Sequence, residues 1–252
     1  MIEILNPARV APARESGALV ADILQTMRDR AKVGTNLPDI DGWTKAMIVK
    51  AGAQSCYVDY EPSFGRGPFG HYICTSVNDA VLHGLPHDYA LADGDLLTLD
   101  LAVLKDGIAA DSAISFVVGD SSSPESVAMI EATERALAAG IAAAGPGSRI
   151  GDLSHAIGTV LAEAGYPINT EFGGHGIGST MHREPHISNA GRPGRGYKLR
   201  PGAPAGPRTP GDGRHRPARD RRRRVDAAQR DRLPHGPQRA HDRDHRRRRG
   251  RS

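Results

Sequence analysis

The stretch LLTLDLAVLKDGIAADSAISFVV, Leu96 to Val118, decides how the rest of the chain is read. Two apolar runs flank Lys105-Asp106-Gly107, and a short Asp-Gly connection between such runs is a hairpin signal. Side chains alternate along a strand. Leu97, Leu99, Leu101 and Val103 therefore share one face of the first strand, and Thr98, Asp100 and Ala102 share the other. On the second strand Ala110, Ser112, Ile114 and Phe116 point one way, and Ala109, Asp111, Ala113 and Ser115 the opposite way. With Asp106-Gly107 as the loop, Ala102 faces Asp111, and Asp100 is the diagonal neighbour of Asp111, ~7–8 Å away. With Lys105-Asp106 as the loop, the two aspartates face each other. Either register puts two carboxylates on one face among small residues; a three-residue loop without a bulge separates them. Like charges on a half-buried face repel, and a proton on one or a cation between them relieves the repulsion. A solvated strand position is the ordinary fate of an aspartate, and Asp106, in the turn, is read that way. The leucines and valines around Asp100 and Asp111 mark a packed hairpin and favour a shared cation.

Downstream lies FGGHGIGSTMHREP, Phe172 to Pro185. His175 sits among Gly173, Gly174, Gly176 and Gly178, and His182 precedes Arg183-Glu184-Pro185. Glycines let a backbone approach a ligand closely and adopt positive φ. The plainer reading is a flexible turn. A phosphate loop requires a helix start after it, and Ser179-Thr180-Met181-His182 does not read as one. Upstream, NDAVLHGLPHDYAL places His83 before Gly84. A lone histidine is ordinarily structural, and His87 is read as a surface loop residue.

Other elements follow from periodicity. Ala18, Leu19, Ile23, Leu24 and Met27 predict an amphipathic helix over residues 8–31. Asp39 is read as the cap of a second helix carrying Trp43, Met47 and Ile48 and ending near Gly52. Residues 56–82 mix aromatic, β-branched and Gly/Pro residues, as strands with loops do. A helix is expected over 124–144, then a turn and another helix with Asp152 near its start, then strands around the glycine run. Helices and antiparallel strands in separate blocks point to an α+β fold.

The formal charge of +4 over 252 residues hides a division. Residues 1–200 carry 16 Lys+Arg against 23 Asp+Glu, net −7, whereas residues 201–252 carry 17 Arg against six Asp, net +11. The second segment has one Val, one Leu and no Ile, Met, Phe, Trp, Tyr or Cys, so it cannot bury enough apolar area to offset its ordering entropy. The boundary falls at about Leu199–Gly202. A folded domain is expected over 1–201 and a disordered Arg/Pro-rich tail over 202–252. There is no run of eighteen apolar residues and no secretory signal, so no membrane association is expected and the cytoplasm is the expected compartment. Cys56 and Cys74 cannot make a disulfide framework and are read first as small buried apolar residues, Cys56 above all.

Taken together, ICTSVNDAVLHGLP, LLTLDLAVLKDGIAADSAISF, GGHGIG and MHREP resemble, in order and spacing, the type I methionine aminopeptidases, over roughly residues 5–202. The resemblance implies the pita-bread α+β fold, with two pseudo-symmetric halves around a central antiparallel sheet. It implies a monomeric metalloprotease that removes the initiator methionine from nascent chains, near the ribosome. It also implies two divalent ions (Co, Mn, Fe or Zn) with a hydroxide between them that attacks the scissile carbonyl. By position, Asp100, Asp111 and His175 match the family's metal ligands. His83 and His182 match the two histidines that contact substrate. Cys74 and Met181 fall where side chains line the methionine pocket, with Met181 where relatives commonly carry Phe.

The match fails at two glutamates. In the family one follows a Leu-x-Pro-Gly motif in a strand ending Glu-Pro, and the other lies in a Glu-His-Thr strand. Here Leu199-Arg200-Pro201-Gly202 is followed by APAGPRTPGDGRHRP, and no glutamate occurs after Glu184. The tail's composition is what out-of-frame translation of GC-rich DNA gives, so a shifted frame is one expectation for it and an impaired enzyme another. Two alternatives stand beside the aminopeptidase. One is a non-catalytic pita-bread protein whose tail, with Arg221–Arg224 and Arg246–Arg249, holds RNA or ribosome through phosphates. The other is a proline-specific peptidase of the same fold, which the short N-terminal part disfavours.

Overall fold

The computed structural model describes residues 2–61, 67–202 and 205–206. Apart from Gly202 and Ala205–Gly206, the arginine-rich tail and its expected disorder therefore lie outside the described residues. The chain begins with α1 (Pro7–Arg30), whose N-cap Asn6 accepts from the Arg9 N–H through its side chain. Val20, Ile23, Leu24 and Met27 form its buried stripe. α2 (Leu37–Lys50) starts two residues before the expected cap: Asn36 occupies the N-cap and Asp39 lies in the first turn. Pro38, near the helix start, fixes the φ that opens the helix and removes an amide that would lack a partner there.

Four strands follow: β1 (Gln54–Ser55), β2 (Cys74–Val77), β3 (Leu96–Lys105) and β4 (Ile108–Val117). Less of 56–82 is strand than its composition suggests, since the described residues between β1 and β2 form turns and irregular chain. β3 is central, with β1 and β2 at different ends of one edge and β4 along the other, all antiparallel. Asp106 and Gly107 form the loop, at φ 49° and 72°. Positive φ at both central residues gives a turn whose twist matches the strands, and it selects the register in which Ala102 faces Asp111. Leu97, Leu99, Leu101 and Val103 are fully buried against the α1 stripe, Leu37, Ile40 and Ile48. Burying each such side chain contributes about 1.5–3 kcal/mol. The helix also grips the hairpin tip. Buried Ser16 Oγ donates to the Ile108 carbonyl at 3.1 Å, and Arg9 Nη2 donates to Gly107 O at 2.6 Å.

The second half repeats the plan, with two helices and then strands. α3 (Pro124–Ala143) packs on α4 (Ile150–Glu163). The crossing is close because Gly140 has no side chain: a Cβ there would lie 2.8 Å from Ile157 Cγ1. β5 (Gly173–Gly176) then pairs with β6 (Arg183–Ser188) on one edge and β7 (Ala205–Gly206) on the other. The Ala109 N–H of β4 donates to Gly178 O at 2.7 Å and ties the two sheets together two residues before Asp111. Among the described residues no helix is long and apolar enough to cross a membrane.

Candidate active site

Asp100 and Asp111 point from the face of the hairpin opposite its leucine core. Asp100 is buried, and Tyr57 O–H donates to its Oδ1 at 2.9 Å. Asp111 Oδ2 lies 3.5 Å from His175 Nε2, with the carboxylate side chain only 5% exposed and the ring 17%. The structure thus brings Asp111 and His175 together, with Asp100 on the same face of the hairpin by register.

His175 Nδ1 lies 2.9 Å from Gly176 O, the geometry of an N–H donating to that carbonyl. In the neutral ring this leaves the Nε2 lone pair turned toward the Asp111 oxygen. A lone pair and a carboxylate oxygen at that distance repel unless a proton or a cation lies between them. The donor types, two carboxylates and an imidazole, suit a divalent cation of intermediate hardness. Among the described residues, however, no group of three or more His, Cys, Asp or Glu side chains is arranged to hold one. The chemistry of the set fits a metal, while its number of donors falls short.

The positive φ expected of the glycines around His175 is not what they supply. Gly173, Gly174, Gly176 and Gly178 all avoid positive φ. Instead, a Cβ on Gly173 would lie 2.3 Å from Ile187 O and one on Gly176 2.2 Å from Glu184 O. The missing side chains let β6 press against β5 across a bulge between His175 and Gly176, which turns the ring toward β4.

His182, exposed, packs its ring against His175 at 4.5 Å between centroids and against Tyr60 at 5.3 Å. Its neighbour Met181 is buried with Tyr57, Cys74 and Ala102, and Cys56 and Phe69 pack on the same cluster. Cys74 stands directly across from Asp100. Cys56 departs from its reading as a plain buried residue: it is half-buried. Burial first, and the charge of Asp111 second, push its thiol up to about 11. His83 sits in the loop after β2 at φ 55°, a left-handed conformation that costs a residue with a Cβ about 1–2 kcal/mol. Gly84 holds it there, with Gly84 O accepting from Thr75 N at 2.8 Å, one residue from Cys74. Tyr57 and Phe69 went unnoticed in the sequence, and Cys56 was read only as packing, because no periodic pattern marks the segment that carries them.

Residues 12–203 match metallopeptidase family M24. A methionine aminopeptidase of Clostridium acetobutylicum is 35% identical over 201 residues, 79% of this chain and 77% of the relative. Methionine aminopeptidase 1 of Mycobacterium tuberculosis is 38% identical over 215 residues, covering 79% and 78%. The crystal structure of methionine aminopeptidase from Rickettsia prowazekii superposes with a TM-score of 0.75 at 31% identity, over 80% of this chain and 79% of that one. Prolidase from Pyrococcus furiosus shares the fold, with a TM-score of 0.63 at 18% identity, and this chain covers 55% of it. By the extent of the family match and the identity of these relatives, this chain, with its pita-bread α+β fold, belongs to metallopeptidase family M24, hydrolases that depend on divalent metal.

Proposed function

We propose that this chain removes N-terminal methionine from polypeptides, nascent chains being the natural substrate, with two divalent ions as cofactors. What supports the reading most is that two environments adjoin. The Asp111–His175–His182 group borders the sulfur and aromatic cluster of Cys56, Tyr57, Phe69, Cys74 and Met181. A methionine side chain is flexible and polarisable, and soft sulfur and ring edges receive it well.

Asp100, Asp111 and His175 would hold the metal, with Co, Mn, Fe or Zn suited to that donor set. When bound, such ions lower the pKa of water and polarise a carbonyl. Tyr57 orients Asp100 by its O–H donation. His182 donates to the scissile carbonyl oxygen as charge builds there, and His83 contacts the scissile amide. Met181 and Cys74 hold the methionine side chain and keep water from that end of the site.

Release of methionine from a Met-Gly-Met peptide, with Mn or Co added, tests the proposal; no release at any metal concentration refutes it. A peptide with proline second tests the proline-specific alternative, for which the prolidase likeness supplies the fold alone. The RNA-binding alternative rests on the tail, outside the described residues.

A further inference from the structure

The loop from Gly176 to Arg183 carries both Met181 and His182, yet its conformation is fixed largely from the far end of the chain. Glu3 Oε2 accepts from Ser179 N at 2.9 Å and from Ser179 Oγ at 3.1 Å. The same oxygen lies 2.8 Å from Arg183 Nε, a close ion pair without hydrogen-bond alignment. Arg183 Nη2 donates to Ser179 Oγ at 2.8 Å and closes the ring of contacts. Ser179 and Arg183 bracket Thr180-Met181-His182, so one carboxylate oxygen gathers both ends of the segment that presents the histidine.

The fit is close. A Cβ on Gly178 would lie 2.3 Å from Glu3 Oε2, so the carboxylate occupies the space of a side chain there. Gly178 O is held in turn by Ala109 N. The N-terminal segment is anchored beyond Glu3 as well, by Leu5 N donating to Gly202 O at 2.7 Å. These donors, the Ser179 amide first, hold the Glu3 carboxyl below its ordinary pKa, in keeping with a carboxylate that stays charged. Glu3 lies upstream of the residues 12–203 that match the family.

We propose that Glu3 is a positioning residue that fixes the Ser179–Arg183 loop so that the His182 ring is presented against His175. The inference rests on the proposed membership of His182 in the site, and its test reads geometry, not turnover. In the full chain, amide exchange and histidine ring resonances are compared among wild type, Glu3→Ala and Glu3→Gln. Losing hydrogen bonds to a charged group costs enough that Glu3→Ala raises exchange at the Ser179 amide about tenfold or more. The His182 ring resonances move toward free-histidine values, while His155 on α4 and the α4 amides stay as they were. Glu3→Gln keeps an acceptor for Ser179 without the charge that pairs with Arg183, and gives an intermediate shift at His182. Unchanged His182 resonances and Ser179 exchange in Glu3→Ala overturn the proposal. So do changes at His155 and α4 as large as those at His182, because they mark a general loosening of the fold. A wild-type chain that releases no methionine bears on the proposed function and leaves this result as it stands.

Discussion

Asp111 Oδ2 and His175 Nε2 meet at 3.5 Å from two different sheets, joined nearby by the Ala109–Gly178 backbone bond. The contact sets a nearly buried carboxylate against an imidazole whose other nitrogen is engaged by Gly176 O. A divalent cation between them would satisfy both. Titration calorimetry with Mn or Co is expected to register weak binding to the wild-type chain, since the donor set is short, and none to Asp111→Asn. Equal heats from the two proteins refute the assignment.

Cys56 supplies a pH test. Its thiol is raised from 9.0 to about 11, by burial and then by Asp111. The folded chain therefore keeps a proton that the unfolded chain gives up, so stability is intact below about 9 and falls as pH rises toward about 11. Urea unfolding across that window should show the decline, and Cys56→Ala should flatten part of it. Asp111→Asn should bring the thiol down only partly, because burial is the larger cause; ultraviolet thiolate absorbance measures the shift.

Gly84 holds His83 in its left-handed conformation by lying against β2. A Cβ there would sit 2.2 Å from Thr75 O, and backbone cannot yield as a side chain can. Gly84→Ala is expected to cost about 1–3 kcal/mol by overpacking, read from the denaturant midpoint. Gly42→Ala, inside helix α2 where a Cβ meets nothing within 4 Å, should instead raise the midpoint, because alanine is favoured over glycine in a helix by about 0.5–1 kcal/mol.

The hairpin was legible because its period of two is set by covalent geometry, and an Asp-Gly pair names its own turn. Asp100 and Asp111 shared a face in either two-residue register, so their pairing depended only on the loop not being three residues long, and positive φ at Asp106 and Gly107 decided the register. The close approach expected of the His175 glycines includes one to β6 carbonyls, which a single strand's sequence does not display, and the positive φ expected of them is absent. Tyr57 and Glu3 act through contacts with residues distant in sequence, Tyr57 from an irregular segment and Glu3 from ahead of the first helix. Periodicity has nothing to report at either place.

We read the tail, from about Gly202 onward, as translated in a displaced frame. The family match ends at residue 203, where the composition turns. Gly206-Pro207-Arg208-Thr209-Pro210 can be encoded GGC CCT CGA ACC CCC. One base later this reads Ala-Leu-Glu-Pro, the Glu-Pro that the resemblance requires after Leu-x-Pro-Gly. Gln238-Arg239-Ala240-His241-Asp242-Arg243-Asp244-His245 can be CAG CGA GCA CAC GAT CGC GAT CAC, which at the same offset reads Ser-Glu-His-Thr-Ile-Ala-Ile. Codon degeneracy leaves each choice free, so one match would carry little; two at one offset, in the family's order, carry more. The sheet adds a geometric argument. Gly206 stands directly across from His175, and opposed residues share a face. In the shifted frame the first glutamate comes two residues after that position, an interval that along any strand returns to the same face. The nucleotide sequence around codon 202 decides the matter: an offset frame lacking either glutamate motif refutes the reading. If both are there, the protein from the restored frame should release methionine faster than the present chain by on the order of 10³, the usual scale for regaining central members of a cooperative site.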